Sequence, residues 1–160
     1  MEMSPKVDNL PERNVAYVSF TGDYRANSKL FEELFGKLGA WAGPKGIMGP
    51  DSLMLSAYHD DPKTTPPEEL TVDVCMVVPE DTEVEGEIMK KMLPGGKYVI
   101  AGVELESAQE YGPAWEEAIK WLEENNHELD MSRPSYEVYK NNPNEHPEGH
   151  HLLDICIPVK

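Results

Sequence analysis

The chain has 160 residues, 39% of them hydrophobic, which suffices for one domain with an apolar core and argues against disorder. Its 30 acidic and 14 basic side chains give a formal net charge of -16, and so negative a surface repels phosphate backbones and attracts cations, which argues against direct nucleic-acid binding. Neither a membrane span nor the apolar segment of a signal peptide is visible, so we expect a soluble, cytoplasmic protein without a membrane partner.

The first half of the chain predicts a strand, a helix and two further strands. Residues 3–10 are expected to pair along a sheet edge, and residues 15–21 are rich in the Val, Tyr and Phe that strands favour. Residues 26–41 carry apolar side chains at the spacing of one helix face. The Gly- and Pro-rich residues 43–50 connect this helix to a hairpin, whose loop opens with the turn-forming residues 60–62.

The second half predicts the same order of elements. Residues 85–92 form a further strand that leads into a turn, and residues 97–105 form the strand that follows. Residues 109–125 form a helix whose apolar stripe matches that of the first helix, with Pro113 in its first turn, where a missing N–H costs nothing. A hairpin follows again, and its loop opens at Asn141.

The two halves also match residue by residue around their hairpins. The pairs separated by 81 positions are Tyr58 and Tyr139, Pro62 and Pro143, Asp73 and Asp154, and Cys75 and Cys156. The sequence therefore predicts one α+β domain, residues 1–160, built as a tandem pseudo-twofold repeat of strand-helix-strand-strand units, residues 1–80 and 85–160. We expect its antiparallel sheet to carry both helices on one face, with a central ligand cleft where the halves meet.

Three segments of the second half carry a family resemblance. They are Pro94-Gly95-Gly96-Lys97-Tyr98-Val99, Tyr111-Gly112-Pro113-Ala114-Trp115 and Arg133-Pro134-Ser135-Tyr136-Glu137-Val138-Tyr139-Lys140-Asn141-Asn142-Pro143. In order and spacing they resemble the GyrI-like family, which includes DNA gyrase inhibitory protein and the effector domains of AraC-type and MerR-type regulators. The resemblance implies a cleft that accepts bulky apolar or cationic compounds, with Glu137 facing it. The two repeats leave no segment for a helix-turn-helix.

Glu137 is the central candidate for a functional residue. Its partner in the first half is Ser56, so the fold does not require a carboxylate at this position. The period of two along a strand places Glu137 and Tyr139 on one face and their neighbours on the other. We predict a partly buried carboxylate that meets a cationic ligand or acts as a general base on water, against the alternative of a solvated strand residue.

Aromatic side chains are the other candidates for ligand contact. Tyr58 and Tyr139 correspond in the repeat and are predicted to line the cleft, where their rings would stack on flat ligands and attract cations. Tyr111 and Trp115 share a helix face, although Trp115 also belongs to the apolar stripe and fits a core residue. The remaining candidates are Trp41, Phe20 and Tyr98. Ordinary packing between sheet and helices is the alternative for all of them.

The histidines indicate no metal site. His146, His150 and His151 lie in a polar loop with Pro and Gly, whereas metal ligands are usually held on regular elements at set spacing. We therefore expect a solvated loop there, and the same for His59. The two cysteines lie in apolar runs without a CxxC partner, so they are predicted to be buried free thiols. No cofactor is predicted.

Three functions remain open from the sequence. The favoured one is a stand-alone binding module for bulky hydrophobic, cationic small molecules in an acidic, aromatic cleft. The second is a hydrolase of strained cyclopropane-type electrophiles, as in some stand-alone members of the family, with Glu137 activating water and Tyr139 or Tyr111 as acid or orienter. The third is a protein interaction like that of a gyrase inhibitor, although the acidic residues are spread along the chain. The ligand and the oligomeric state are left undetermined.

Overall fold

The computed structural model describes residues 2–26, 29–47 and 52–160. In chain order, the strands and helices are β1 (Glu2–Leu10), β2 (Arg13–Thr21), α1 (Leu30–Ala42), β3 (Met54–Tyr58), β4 (Thr71–Val77), β5 (Met89–Leu93), β6 (Gly96–Leu105), α2 (Tyr111–Glu124), β7 (Ser135–Tyr139) and β8 (His151–Pro158). They belong to two compact units. Unit 1 comprises Met1–Pro11 and Gly95–Lys160, and unit 2 comprises Glu12–Pro94.

The strands of unit 2 pair antiparallel in the order β3-β4-β2-β5, and α1 packs against them. The helix buries one face because Leu30, Leu34, Leu38 and Ala42 recur every four residues. That face packs on alternate apolar residues of β2 and β4. Burial of each leucine side chain contributes about 2 kcal/mol, so the stripe holds the helix to the sheet.

The strands of unit 1 pair antiparallel in the order β1-β6-β8-β7, and α2 packs against them. Ala114, Ala118 and Leu122 form the buried stripe of this helix. They pack on alternate apolar residues of β6 and β8. The half-buried Tyr111 and Trp115 pack against the same core, so α2 brings two aromatic side chains with polar hydrogens next to the sheet.

The outermost strands β1 and β5 do not follow the division of the sequence into halves. β1 comes from the start of the chain but pairs with β6 along its whole length, from Glu2 opposite Glu104 to Leu10 opposite Gly96. β5 comes before β6 in the chain but pairs with β2. The compact units therefore differ from the predicted segments 1–80 and 85–160, because the pairing of backbone N–H and C=O groups decides which strands belong together.

The α+β class and the type of each main element are confirmed, and residues 3–10 do form an edge strand. The first helix begins at Leu30 rather than at residue 26, and residues 27–28 and 48–51 lie outside the described ranges. The strand predicted over residues 85–92 is shifted to Met89–Leu93, because a turn bond from the Ile88 N–H to the Glu85 carbonyl precedes it. The twofold repeat, the single domain and the central cleft stay predictions. None of the described helices is long and apolar enough to cross a membrane.

Candidate functional site

The side chain of Glu137 lies on the helix side of the sheet in unit 1. Glu137 is the third residue of β7 and stands opposite Ile155 of β8, which belongs to the core beneath α2. Alternation along the strand places Tyr139 on the same side, and Tyr139 also packs against this core. Glu137 is 4% exposed, so its carboxylate is nearly removed from water.

Two aromatic side chains donate hydrogen bonds to this carboxylate. The indole Nε1 of Trp115 donates to Oε2 of Glu137 at 2.6 Å, and the hydroxyl of Tyr139 donates to Oε1 at 2.8 Å. A buried carboxylate is costly unless its oxygens are hydrogen-bonded, and bonds to an ionised acceptor are the strong kind. The two bonds fix the orientation of the carboxylate between α2 and the sheet.

Tyr111 extends this arrangement by one helical turn. It is the first residue of α2, four positions before Trp115, and therefore lies on the same helix face. Burial, and then the negative charge of Glu137, raise the pKa of the Tyr111 hydroxyl, which keeps it protonated at neutral pH. We call Glu137, Trp115, Tyr139 and Tyr111 the Glu137 cluster.

His151 is a contact of this cluster that the sequence analysis missed. It is the first residue of β8 and not part of a solvated loop, and its Nδ1 lies 2.8 Å from the hydroxyl of Tyr111. The two rings are perpendicular, with centroids 5.4 Å apart. Burial, and then the charge of neighbouring His150, lower the pKa of His151. The sequence did contain a signal for this strand position, because His151 comes directly before an apolar, strand-forming run.

The corresponding position of unit 2 has a different character. Ser56 is the third residue of β3 and is fully buried. The aromatic side chains here form contacts with one another: the ring centroid of Tyr58 lies 5.4 Å from that of Tyr24 and 6.5 Å from that of Phe31. Tyr58 thus belongs to an aromatic cluster packed on the core beneath α1.

A match to a family model accompanies this geometry. The model of the GyrI-like small molecule binding domain matches residues 3–160, nearly the whole chain. The chain belongs to the GyrI-like family. It is a GyrI-like small-molecule-binding domain, as its second-half motifs had indicated.

Two relatives cover this GyrI-like domain from end to end. The SPbeta prophage-derived protein YosT of Bacillus subtilis, whose name describes a transcriptional regulator, is 29% identical over 160 residues, 99% of this chain and 100% of YosT. The DNA gyrase inhibitor of Citrobacter koseri is 25% identical over 162 residues, 99% of each chain. The family thus includes proteins named for different roles, and the names alone assign none of them to this chain.

Solved structures share the fold at low sequence identity. EcmrR in a DNA complex matches with a TM-score of 0.78 and 18% identity over 99% of this chain, which spans 57% of the EcmrR chain. SAV2435 bound to tetraphenylphosphonium matches with a TM-score of 0.67 and 12% identity over 98% of this chain and 94% of SAV2435. A hydrolase from Listeria innocua matches with a TM-score of 0.64 and 12% identity over 98% of this chain and 91% of that one. At these identities the likeness shows the fold alone.

The other predicted aromatic residues of the GyrI-like domain lie apart from the Glu137 cluster or in unit 2. Tyr98 is fully buried and does not join the core beneath α2: it stacks on Tyr136 at 5.4 Å, and its hydroxyl donates to the Pro134 carbonyl at 2.9 Å. Trp41 and Phe20 belong to unit 2, where both are half-buried against the core beneath α1. Their predicted ligand contacts stay predictions.

Unit 2 also holds a buried acid that the sequence analysis did not single out. Asp73 is 1% exposed and accepts hydrogen bonds from His59 Nε2 at 2.5 Å and from the ammonium of Lys91. Burial opposes ionisation, but these bonds outweigh it and lower the pKa of Asp73 to about 2. His59 is an exposed loop residue, as expected, and its Nε2 also reaches this buried charge.

His150 and the two cysteines are further reactive groups among the described residues. His150 is paired with Glu104, with 2.7 Å between Nδ1 and Oε2. Cys75 and Cys156 are free and buried, as predicted, and burial raises the pKa of Cys75, so its thiol is unreactive. Across residues 2–26, 29–47 and 52–160, no group of three or more His, Cys, Asp or Glu side chains is arranged to hold a metal ion.

Proposed function

We propose that this GyrI-like domain binds bulky hydrophobic cations at the Glu137 cluster. The observation that carries the proposal is a carboxylate of 4% exposure that accepts hydrogen bonds from an indole and a phenol. The cluster combines one negative charge with three aromatic side chains on one side of a single sheet. These are the two components that recognise an organic cation.

The charge of Glu137 favours a cation because the carboxylate is shielded from water. Attraction between opposite charges grows as the local dielectric constant falls. A small inorganic cation would have to shed strongly bound water to profit from it, whereas a bulky organic cation is weakly hydrated. The faces of Trp115, Tyr139 and Tyr111 add apolar contact and a favourable quadrupole for such a ligand.

Binding of this kind requires movement of a side chain, because a ligand cannot reach a carboxylate that is 4% exposed. Trp115 and Tyr139 are the natural moving parts, since both are half-buried and both donate a hydrogen bond to Glu137. Rotation of either one replaces a neutral donor by the charge of the ligand. The fold relative SAV2435, bound to tetraphenylphosphonium, supports the choice of a phosphonium cation as the probe.

The test is a calorimetric titration with tetraphenylphosphonium and, as an uncharged counterpart, triphenylphosphine oxide. Glu137→Gln keeps the size and hydrogen-bonding capacity of the side chain but removes its charge, and we expect the cation to bind about 30-fold more weakly. Glu116→Gln removes the same charge from an exposed position next to Trp115 and should leave the affinity within about twofold. Equal affinities of wild type and Glu137→Gln would refute the role of Glu137.

Hydrolysis is a second candidate, favoured by the Tyr139 hydroxyl, which lies 2.8 Å from Oε1 of Glu137. A carboxylate next to a tyrosine that stays protonated forms a base and acid pair. On a cyclopropane conjugated with a carbonyl, Glu137 would take a proton from water as the water oxygen bonds to a ring carbon. The ring C–C bond would break, and its electron pair would pass to the conjugated carbonyl and be protonated from the tyrosine, which regains its proton from Glu137.

The two candidates are separated by one further assay. Incubation with a cyclopropane-containing enone, followed by mass spectrometry, detects the addition of one water to the compound. Turnover by wild type that disappears in Glu137→Gln would establish the hydrolase, whereas tight cation binding without turnover would leave the binding module. If neither activity is found, inhibition of gyrase supercoiling is the next assay, because relatives carry that name.

A further inference from the structure

β5 is the outermost strand of unit 2, and part of its backbone has no hydrogen-bonding partner. The Val78 N–H donates to the Asn14 carbonyl at 3.0 Å, so the even-numbered residues of β2 exchange hydrogen bonds with β4 and the odd-numbered residues with β5. In β5 this parity turns the N–H and C=O groups of Lys90 and Met92 outward. Within the described part of the chain, nothing bonds to these four groups.

The outer edge of β1, in unit 1, is protected by its sequence. The Val159 N–H donates to the Lys97 carbonyl at 3.1 Å, so β6 uses its odd-numbered residues for β8 and its even-numbered residues for β1. The outward groups of β1 therefore belong to its odd-numbered residues. One of these is Pro5, which has no N–H, and another is Asn9, whose N–H donates to Oδ1 of Asp8 at 2.8 Å. Both features discourage the addition of a further strand.

Lysines can protect an edge strand by their charge, but both lysines of β5 are engaged within their own unit. The ammonium of Lys90 donates to the carbonyls of Glu80 and Thr82, each at 2.8 Å. The ammonium of Lys91 is paired with Asp73. The charges that could guard the edge of β5 are therefore already bound by the chain itself.

Two methionines add apolar surface to the edge of β5. Three large apolar side chains are exposed among the described residues, and two of them, Met89 and Met92, lie on this strand at 48% and 44% exposure. Methionine side chains are flexible and adapt to the shape of a partner. Exposed apolar side chains beside unpaired backbone groups are typical of an edge to which another strand is added.

We propose that a second copy of this chain covers the edge, with two β5 strands paired antiparallel about a twofold axis. Such an axis makes an edge strand its own partner. With Lys91 on the axis, Lys90 of each copy stands opposite Met92 of the other, and each of these pairs exchanges two hydrogen bonds. This register uses all the outward groups of both strands and keeps the two Lys90 side chains apart. The two Lys91 side chains meet at the axis, each already paired with Asp73 of its own copy.

The dimer is weak because its interface is small. β5 has five residues, and its pairing with a copy of itself falls short of the area that a stable dimer buries. The net charge of -16 on each copy also opposes association. We therefore expect a dimer that forms at high micromolar concentration and becomes stronger when salt screens the repulsion. The inference concerns assembly and is independent of the proposed function.

The test is sedimentation of the whole chain over a range of concentrations, at low and at high salt. The average mass should rise towards that of a dimer, and more so at high salt. Met92→Lys places a second ammonium opposite Lys90 of the other copy, and we expect it to weaken the dimer about tenfold. Met131→Lys makes the same change at an exposed position of unit 1 and should dimerise as wild type does. A monomer at every concentration would overturn the inference, and so would a dimer that Met92→Lys leaves unchanged.

Amide hydrogen exchange of the wild type locates the interface without any variant. The outward amides of Lys90 and Met92 should exchange more slowly as the protein concentration rises, because pairing protects them. The outward amides of Met3 and Val7 in β1 are the control, and their exchange should not depend on concentration. A dimer that leaves the exchange of Lys90 and Met92 unaltered would have its interface elsewhere, and the inference would then be wrong.

Discussion

Units 1 and 2 differ in chemical character at the third residue of their five-residue strands β7 and β3. Glu137 occupies this place in unit 1 and Ser56 in unit 2, and both are buried. Each is followed two positions later by a tyrosine that packs on the adjoining core. In unit 1 that tyrosine donates to the carboxylate, whereas in unit 2 it contacts other rings. Similar aromatic surroundings thus accommodate a charge in one unit and a small hydroxyl in the other.

The two units also hold their buried acids in different ways. Asp73 in unit 2 is engaged by an ammonium and an imidazole, and its low pKa follows from them. Glu137 in unit 1 accepts bonds from an indole and a phenol. Burial of a carboxylate alone therefore does not mark a binding site. The donors of Asp73 include a basic group, which already supplies the charge that a cationic ligand would bring.

The strongest test of the difference between the two units is Ser56→Glu, which places a carboxylate in the aromatic cluster of unit 2. We expect the free energy of unfolding to fall by about 4 kcal/mol. Phe31 follows the first buried residue of α1 as Trp115 follows Ala114 in α2, but it has no hydrogen to donate. Adding Phe31→Trp should recover part of the loss. Urea unfolding of both variants measures the effect, and an undiminished stability of Ser56→Glu would contradict it.

Asp73→Asn has the next largest expected effect. Removal of the buried charge leaves the Lys91 ammonium facing an uncharged amide, and we expect a loss of about 3 kcal/mol in the free energy of unfolding. The control is Asp154→Asn, because Asp154 pairs with Lys140 at 3.0 Å but is more exposed. It should cost about 1 kcal/mol or less. Equal losses in the two variants would show that burial of Asp73 is irrelevant.

The pH dependence of stability gives the smallest of the three effects. The folded-state pKa of Asp73, about 2, lies below its ordinary value of 3.8. Its ionised form therefore stabilises the protein by about 2 kcal/mol above pH 4, and this contribution is lost as the pH falls from about 4 to 2. Urea unfolding at a series of pH values should show wild type and Asp73→Asn converging in acid. A difference that does not shrink by about 2 kcal/mol as the pH falls from about 4 to 2 would argue against the paired carboxylate.

Elements with strong periodicity could be predicted from the sequence. The four-residue spacing of Leu30, Leu34 and Leu38 gave the buried face of α1, and the period of two gave the common side of Glu137 and Tyr139. Both patterns are local, because side chains a few positions apart share a face whatever the rest of the chain does. The family resemblance then added the expected direction of Glu137.

Long-range partners could not be predicted in the same way. His151 lies 40 positions from Tyr111 in the chain, and Asp73 is 18 positions from Lys91. No periodicity relates such residues, and the polar residues before His151 suggested solvent rather than a partner. The sequence did not predict that β1 pairs with β6, which places residues 1–11 in unit 1. The reason is the same, since an edge strand carries no local signal of the strand that it joins.

Because β1 pairs with β6, the two units cannot complete their strand pairing in the order of the chain during synthesis. All of unit 2 is contiguous, so it leaves the ribosome before β6 exists, while β1 waits without its partner strand. Within unit 2, Arg13 at the start of β2 pairs with Leu93 at the end of β5. Once that pairing forms, the chain segments leading to Leu10 and Gly96 emerge side by side, and the entropy of closing the long loop has already been met. In connectivity, β1 and β6 thus form a hairpin whose connecting segment is unit 2.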